Sequence, residues 1–281
     1  MKRRTFIKAT SAGMLAGMLM PRHILANLPP NKSIGLQLYS LRDEIKSDLE
    51  GSLKKISDIG YNNLEAAGYD NGKFYGLDPP DFKAMVEGFG MKVTGSHVTL
   101  NKDDAGTVLN AHKNAGIKYL VWPWLNAEQR ESADSYKKVA ENFNIIGKMC
   151  KDNGLTFGYH NHDFEFNPVD GVIPYDLLLE FTDPELVFME IDLYWIVYAG
   201  KDPLVYFEKY PGRFRLWHVK DMAPGDEKDM TEVGSGIIDY HKLFEYASLS
   251  GMKEFFVEQD VIKGDGFESI RKSFDFLNHM H

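Results

Sequence analysis

The chain has 281 residues, of which 43% are hydrophobic and 26% are charged, so it can bury a sizeable core and is neither fibrous nor disordered. Its formal net charge of −9 opposes binding to nucleic acid phosphates and to anionic membrane surfaces. We therefore expect no nucleic acid partner. The single cysteine, Cys150, excludes an intramolecular disulfide and lies in a helical stretch, where we predict a small core residue.

Residues 1–26 have the composition of an export signal. Arg3 and Arg4 precede a short run of Ala, Gly, Met and Leu that is too short and too rich in glycine to span a bilayer comfortably. The paired arginines resemble a twin-arginine signal, which directs folded proteins across a bacterial inner membrane. We therefore predict a signal peptide at 1–26 and a periplasmic domain at 27–281, without stable membrane insertion after processing. An uncleaved, membrane-anchored form is the alternative.

From Ser33 onward, short apolar runs alternate with longer amphipathic segments, which predicts α/β architecture. Eight runs are typical of strands: 34–41, 62–68, 92–98, 119–124, 156–162, 187–195, 215–222 and 254–260. Eight strand-helix units in about 250 residues predict a single-domain (β/α)8 TIM barrel. A doubly wound open sheet is the competing topology, but no Gly-x-Gly-x-x-Gly follows the first run to support it.

Polar residues gather where the predicted strands end, which is the face of a TIM barrel that carries the chemistry. They are Gln37, Tyr39, Glu65, His97, Trp122, Trp124, His160, His162, Asp192, His218, Lys220 and Glu258. Because side chains alternate along a strand, His160 and His162 should point the same way, into the barrel mouth. The same spacing relates His218 to Lys220.

Asp192, His218 and Glu258 close three successive predicted strands, and buried charges of this kind are costly unless they are compensated. A metal ion would compensate them, and oxygen and nitrogen donors suit Mn²⁺, Co²⁺, Zn²⁺, Fe²⁺ or Mg²⁺. Taken singly, each residue also has a structural interpretation. Lys220, for example, could pair with Asp221 or lie in solvent.

Five segments carry a resemblance to a known family. They are YHNHDFEF (159–166), EIDLYWIVYAGKDP (190–203), RLWHVKDM (215–222), EVGSGIID (232–239) and FVEQD (256–260). Together they resemble the sugar phosphate isomerase/epimerase group with the xylose isomerase-like TIM barrel, over nearly the whole mature chain. The resemblance implies one divalent metal ion, held at the ends of strands five to eight by an acidic residue, an aspartate, a histidine and a glutamate. The last three fall on Asp192, His218 and Glu258.

Two positions depart from the family pattern. His160 stands where the ketose epimerases have the strand-five glutamate, one of their two metal-bound acid/base groups. Trp195 stands where related epimerases have a histidine, which suggests an aromatic wall for a glycoside or larger sugar. Either His160 is a fourth ligand and a base of different character, or the site carries out proton transfer on one face of the substrate only. One-sided proton chemistry would fit a lyase better than an epimerase.

A metal that chelates a carbonyl and its neighbouring hydroxyl acidifies the hydrogen between them. We therefore expect a metal-dependent sugar isomerase/epimerase that acts through an enediolate on an unphosphorylated sugar, keto-sugar or inositol derivative. A lyase that performs β-elimination on a keto-glycoside comes second. A non-catalytic sugar-binding protein and an endonuclease-type hydrolase are less favoured, the latter because the chain is acidic and lacks ligands for a three-metal cluster. The sequence leaves open whether the protein forms a homo-oligomer.

The resemblance and the spacing together assign roles to the site residues. We expect Glu258 to act as general base, Lys220 to stabilise growing negative charge, and His160 to act as the acid on the opposite side, with His97 as its substitute. Substrate binding is expected from Gln37, Glu65, His97, Trp122, His162 and Trp195.

Overall fold

The computed structural model describes residues 33–280, so the predicted signal peptide lies outside the described residues. Eight parallel strands close into a barrel: β1 Gly35–Gln37, β2 Asn63–Ala66, β3 Lys92–His97, β4 Tyr119–Trp122, β5 Thr156–His160, β6 Val187–Asp192, β7 Leu216–Val219 and β8 Glu254–Val257. Each strand pairs with the next one in the chain, and β1 closes the barrel by pairing with β8. The predicted single-domain (β/α)8 barrel is confirmed.

Helices alternate with the strands and surround the barrel. They are α1 Arg42–Ser47, α2 Leu49–Ile59, α3 Pro79–Gly88, α4 Ala105–Asn114, α5 Ala133–Asp152, α6 Pro174–Phe181, α7 Leu193–Tyr198, α8 Pro203–Lys209, α9 Tyr240–Glu245, α10 Ala247–Ser250 and α11 Gly266–His279. Two short antiparallel hairpins lie outside the barrel, one pairing Tyr69–Asp70 with Lys73–Phe74 and the other Asp221–Met222 with Met230–Thr231. Within residues 33–280, no helix combines the length and the apolar character needed to cross a membrane.

The longest helix, α5, illustrates how local sequence sets the boundaries. The side chain of Ser132 accepts a hydrogen bond from the backbone of Ser135 and so caps the first turn. Apolar residues then recur at helical spacing, and Phe143 and Cys150 are among those buried against the barrel. Gly154, in the left-handed region at φ +75°, follows the end of the helix. Cys150 is the core residue that its helical position predicts.

Several strands are shorter than their apolar runs because the chain turns as soon as it leaves the barrel. Leu38–Leu41 forms a 3-10 turn directly after β1. At the end of β6, the carboxylate of Asp192 accepts a hydrogen bond from the backbone N–H of Trp195 at 2.8 Å and thereby begins α7. This turn holds Asp192 at the mouth of the barrel.

The barrel interior changes from apolar to polar along the strands. An apolar cluster fills its lower part: Tyr119, Val121, Phe188, Leu216 and Phe256. Because every second side chain of a strand faces the same way, Phe188, Glu190 and Asp192 all face the barrel interior, in that order towards its mouth. Polar groups therefore rest on a dry apolar layer at the C-terminal end of the barrel, where TIM barrels carry their sites.

Candidate active site

Four buried side chains converge at the barrel mouth. His160, Asp192, His218 and Glu258 each offer one donor atom, and the four atoms lie within 4.8 Å of one another. The structure thus brings together the four residues that the sequence predicts as metal ligands. We call them the ligand cluster.

Lys220 is buried beside the ligand cluster, with 1% of its side chain exposed. Its ammonium nitrogen lies 2.6 Å from Glu258 Oε2, 3.0 Å from Asp192 Oδ2 and 2.9 Å from Asp260 Oδ2. The alternative that Lys220 pairs with Asp221 or lies in solvent is therefore wrong. Asp260, which sequence analysis did not single out, completes the surroundings of the ammonium.

Asp221 has a structural task instead. Its carboxylate accepts hydrogen bonds from the backbone N–H groups of Met222, Gly234, Gly236 and Ile238, at 2.8–3.1 Å. These bonds fix the loop after β7 against the strand end. The motif EVGSGIID thus provides backbone donors that hold the rim of the site in place.

Two carboxylates, Glu65 and Glu190, lie beneath the ligand cluster and are fully buried. We call this pair the carboxylate floor. Gln37 donates to Glu65 Oε2 at 2.8 Å, and His97 Nε2 lies 2.8 Å from Glu190 Oε2 and 3.4 Å from Glu65 Oε2. Of the predicted substrate-binding residues, Glu65 therefore belongs to the carboxylate floor, and Gln37 and His97 contact it.

Glu190 was missed by the sequence analysis because it lies inside the apolar run VFMEID. A signal was nevertheless present, since Glu190 precedes Asp192 by two residues and therefore shares its face of the strand. The same spacing relates Asp260 to Glu258.

The pKa values of both carboxyls in the carboxylate floor are raised above their ordinary value. Burial raises the pKa of Glu65 to about 7, and the nearby Glu190 charge adds to this effect. Burial likewise raises the pKa of Glu190 to about 7, against the lowering influence of His218. Two carboxyls this close in a dry interior resist carrying two negative charges at once.

Neighbouring charges shift the pKa values of His218 and Glu258 in the ligand cluster and of Lys220 beside it. Burial alone would lower the pKa of His218, but the surrounding charges of Glu190, Glu258 and Glu65 raise it well above its ordinary value. For Lys220, the neighbouring carboxylates likewise outweigh burial, and its pKa is raised. The pKa of Glu258 is held well below its ordinary value because Lys220 and His218 outweigh the effect of burial.

The residues present fit a divalent metal. One oxygen of Asp192 is engaged by the backbone of Trp195, whereas Oδ2 is buried and accepts no hydrogen bond, although it lies 3.0 Å from the Lys220 ammonium. A buried carboxylate oxygen without a hydrogen bond is costly. Two carboxylates and two imidazoles are donors that a divalent transition metal takes readily.

An aromatic wall borders the ligand cluster on the side of β4 and β5. The ring of His162 lies 5.0 Å from that of His160, 4.5 Å from Trp124 and 5.6 Å from Trp195. Burial lowers the pKa of His162 to about 3, so its imidazole is neutral. Within residues 33–280, neither His162 Nδ1 nor Trp195 Nε1 has a hydrogen-bond partner, although both atoms are buried. The wall therefore combines apolar faces with two unsatisfied polar atoms.

Trp122 does not join this wall. Its ring packs against Phe143 of α5, on the outer face of β4, and its Nε1 donates to the carbonyl of Trp124 at 2.8 Å. Trp124 lies two residues later, is 47% exposed and contacts His162. Of the two tryptophans, Trp124 is the one that faces the site.

Comparison with known proteins gives the geometry a family context. A family model described as the xylose isomerase-like TIM barrel matches residues 53–279. A sugar phosphate isomerase/epimerase from Parabacteroides distasonis is 32% identical, with a TM-score of 0.76, and the match covers 88% of this chain and 97% of that one.

Curated relatives match about half of the chain. An inosose dehydratase from Bacillus cereus is 28% identical over 163 residues, which cover 51% of this chain and 54% of the relative. An inosose dehydratase from Clostridium tetani is 34% identical over 144 residues, covering 51% of this chain and 43% of the relative. The chain thus spans only about half the length of these relatives. The closed barrel and the family match, which extends over most of the sequence, together establish that the chain belongs to the xylose isomerase-like TIM barrel family.

Proposed function

We propose that the protein is a metal-dependent lyase that eliminates a β-substituent, such as water, from a keto-sugar or keto-inositol. The observation that carries this proposal is the buried contact of 2.6 Å between Glu258 and Lys220. β-Elimination beside a ketone requires a base for the α-proton and an acid for the departing oxygen. A carboxylate and an ammonium ion, held side by side, supply both.

Glu258 is suited to the role of base. The lowered pKa of Glu258 keeps its carboxylate ionised at neutral pH, and its place at the end of β8 points it into the mouth. It would remove the proton from the carbon next to the ketone. The pair of electrons released from that C–H bond forms the new carbon–carbon double bond.

Lys220 is suited to the role of acid. The neighbouring carboxylates raise the pKa of Lys220 and so keep its amine protonated. Its proton can be given to the oxygen that leaves the β-carbon, where negative charge develops as the bond breaks. The carbon–oxygen bond breaks, and the products are an unsaturated ketone and water, or an alcohol from a glycoside. The proton taken by Glu258 can then return to Lys220 across their contact, which restores both groups.

His160, Asp192, His218 and Glu258 would hold the divalent ion, which when bound acts as a Lewis acid on the ketone oxygen. Asp260 stands outside this set and retains Lys220 at the edge of the site, 2.9 Å away. The aromatic wall of Trp124, His162 and Trp195 offers apolar faces against which a sugar ring can pack.

The choice of a lyase over an epimerase follows from the strand-five position. An epimerase needs acid/base groups on both faces of its substrate. Burial lowers the pKa of His160 well below its ordinary value, so the imidazole there is neutral and serves better as a ligand than as an acid. The inosose dehydratases, whose names denote loss of water, support the same order.

A sugar isomerase or epimerase is the second candidate. The observation that favours it is the solved structure from Parabacteroides distasonis, described as a sugar phosphate isomerase/epimerase, which this chain matches over 97% of that structure's length.

One experiment distinguishes the lyase from the isomerase or epimerase. The metal-loaded protein is incubated in D₂O with a keto-inositol and, separately, a keto-glycoside, and the products are followed by NMR. A lyase gives an unsaturated ketone, whereas an epimerase gives an isomer carrying deuterium next to its carbonyl. Lys220→Met should lower elimination by at least about a hundredfold. A deuterated isomer without elimination would establish the second candidate, and a metal-replete Glu258→Gln protein of near wild-type rate would exclude Glu258 as the base.

A further inference from the structure

Beneath the ligand cluster, the carboxylate floor contacts His160 and His218. It contacts the ring nitrogen of each that points away from the cluster. We infer that Glu65 and Glu190 are positioning residues, which fix the tautomers of His218 and His160 so that the correct nitrogen of each faces the metal. The inference rests on the metal site of the proposed function and deepens it.

The two imidazoles are oriented in opposite senses. His160 directs Nδ1 to Glu190 Oε2 at 3.2 Å and Nε2 towards Asp192 Oδ2 at 3.6 Å. His218 directs Nε2 to Glu65 Oε2 at 2.6 Å and Nδ1 to Glu258 Oε2 at 2.6 Å. The metal would therefore meet Nε2 of His160 and Nδ1 of His218.

A neutral imidazole carries one N–H and one lone pair, and only the lone pair can bind a metal. A carboxylate that accepts the N–H on one side leaves the lone pair on the other side. Glu190 Oε2 accordingly selects the Nδ1–H tautomer of His160, and Glu65 Oε2 selects the Nε2–H tautomer of His218. Both Oε2 atoms can accept even if one carboxyl carries a proton, because among residues 33–280 neither Oε1 atom has a hydrogen-bond partner. Glu190 Oε2 also lies 3.2 Å from His218 Nε2, so it supports the tautomer of His218 that Glu65 selects at 2.6 Å.

The carboxylate floor is itself held rigidly. Gln37 donates to Glu65 from β1, and His97 Nε2 lies between the two carboxylates from β3. All of these side chains stand on barrel strands, above the apolar cluster that fills the lower interior. A rigid acceptor fixes the orientation of a ligand more effectively than a mobile one.

A different occupant of the same place has to be tested. His97, His160, Glu190 and His218 also each offer one donor atom, and these four atoms lie within 4.8 Å of one another, a spacing compatible with a metal ion. An ion there would take the nitrogens that the inference assigns to N–H groups. The two arrangements therefore predict opposite protonation of both imidazoles.

The test measures zinc binding and histidine tautomers in the full-length protein. Zinc affinity is determined by competition with a chelator, and ¹H–¹⁵N spectra of the zinc-loaded protein report which ring nitrogen carries hydrogen. We expect one zinc ion per chain, with His160 protonated at Nδ1 and His218 at Nε2. Glu190→Gln and Glu65→Gln should each weaken zinc binding about 10- to 100-fold, since an amide can present either oxygen or nitrogen to the ring.

The signature is specific to each residue. Glu190→Gln should alter the ring signals of His160 and, to a smaller extent, those of His218, whereas Glu65→Gln should alter those of His218 and leave His160 unchanged. Glu254→Gln is the control, because Glu254 begins β8 at the opposite end of the barrel, where it contacts Asn63 and Lys92. Its zinc affinity and spectra should equal those of the wild type.

Three results would overturn the inference. The first is the reverse pair of tautomers in the wild type, which requires no variant to fold. The second is unchanged zinc affinity in both folded floor variants. The third is two zinc ions per chain that fall to one in Glu190→Gln, which would make the floor a second metal site. If the tautomers are as expected and no keto-sugar is turned over, the lyase proposal fails and the inference stands.

Discussion

Glu165 makes the stability of the barrel depend on pH in a direction opposite to that of most acidic residues. It is fully buried in the turn after β5, where it accepts hydrogen bonds from the hydroxyl of Tyr159 and from the backbone of His162. Among residues 33–280, no cation is paired with it. Burial therefore outweighs both hydrogen bonds and raises the pKa of Glu165 from 4.5 to about 8.

The effect on folding has a definite sign. Between pH 4.5 and 8, the folded protein keeps the proton of Glu165 while the unfolded chain releases it. The free energy of unfolding therefore falls as pH rises through this window, by about 1.4 kcal/mol per unit. Glu165 should thus cost about 3 kcal/mol at pH 7 and up to about 5 kcal/mol above pH 8, relative to pH 4.

Glu165→Gln tests this reasoning, because an amide imitates the protonated carboxyl and never ionises. Urea denaturation of both proteins from pH 4.5 to 8 should give nearly equal stabilities at the acid end and an increasingly stable variant towards pH 8. Glu185→Gln, at a side chain that is 80% exposed, controls for the loss of one carboxylate. Wild-type and Glu165→Gln curves that run parallel across the window would refute the assignment.

Three further predictions concern the loop after β7, the barrel wall and the leader. Asp221→Ala leaves four backbone N–H groups without their acceptor and should lower the free energy of unfolding by about 3 kcal/mol, measured by urea denaturation. Gly35→Ala places a Cβ 2.5 Å from a backbone oxygen in β8 and should lower the free energy of unfolding by about 1–3 kcal/mol. Gly106→Ala in α4, whose new Cβ would meet no other part of the protein within 4 Å beyond its own helix and chain neighbours, should raise it by about 0.5–1 kcal/mol. Replacing both Arg3 and Arg4 by lysine should leave unprocessed protein in the cytoplasm, as judged by fractionation, and undiminished export would contradict the leader assignment.

The barrel and three residues of the ligand cluster were predictable from the residues alone, whereas His160 entered the predicted ligand set through the family resemblance. Eight apolar runs separated by amphipathic segments specify the strand count. Alternation along a strand then selects which polar residues share the interior, as it does for His218 and Lys220. Asp192, His218 and Glu258 were indicated because they close three successive predicted strands, and the closed barrel brings them together with His160.

The carboxylate floor and the aromatic wall were harder to predict from the sequence. They depend on which face of a strand each side chain occupies and on how far it lies below the barrel mouth. Trp122 ends the run YLVW, in which every residue is apolar, so the sequence contains no alternation from which its face could be derived. Glu190 and Asp192 share a face, but only the barrel's layering decides that Glu190 lies beneath the mouth. The partner of Lys220, Asp260, is set by where the chain turns after β8.

The position of Lys220 also bears on how the site can exist before it is loaded. Its ammonium lies 2.6 Å from Glu258 Oε2 and 3.0 Å from Asp192 Oδ2, which are two of the oxygens proposed to hold the metal. Buried carboxylates without a counter-charge would destabilise the barrel, and Lys220 supplies that charge when no ion is bound. A divalent ion held by the ligand cluster would share these carboxylates with the ammonium, which Asp260 also holds at 2.9 Å. Lys220 therefore balances the charge of the buried carboxylates and at the same time keeps a proton donor beside Glu258.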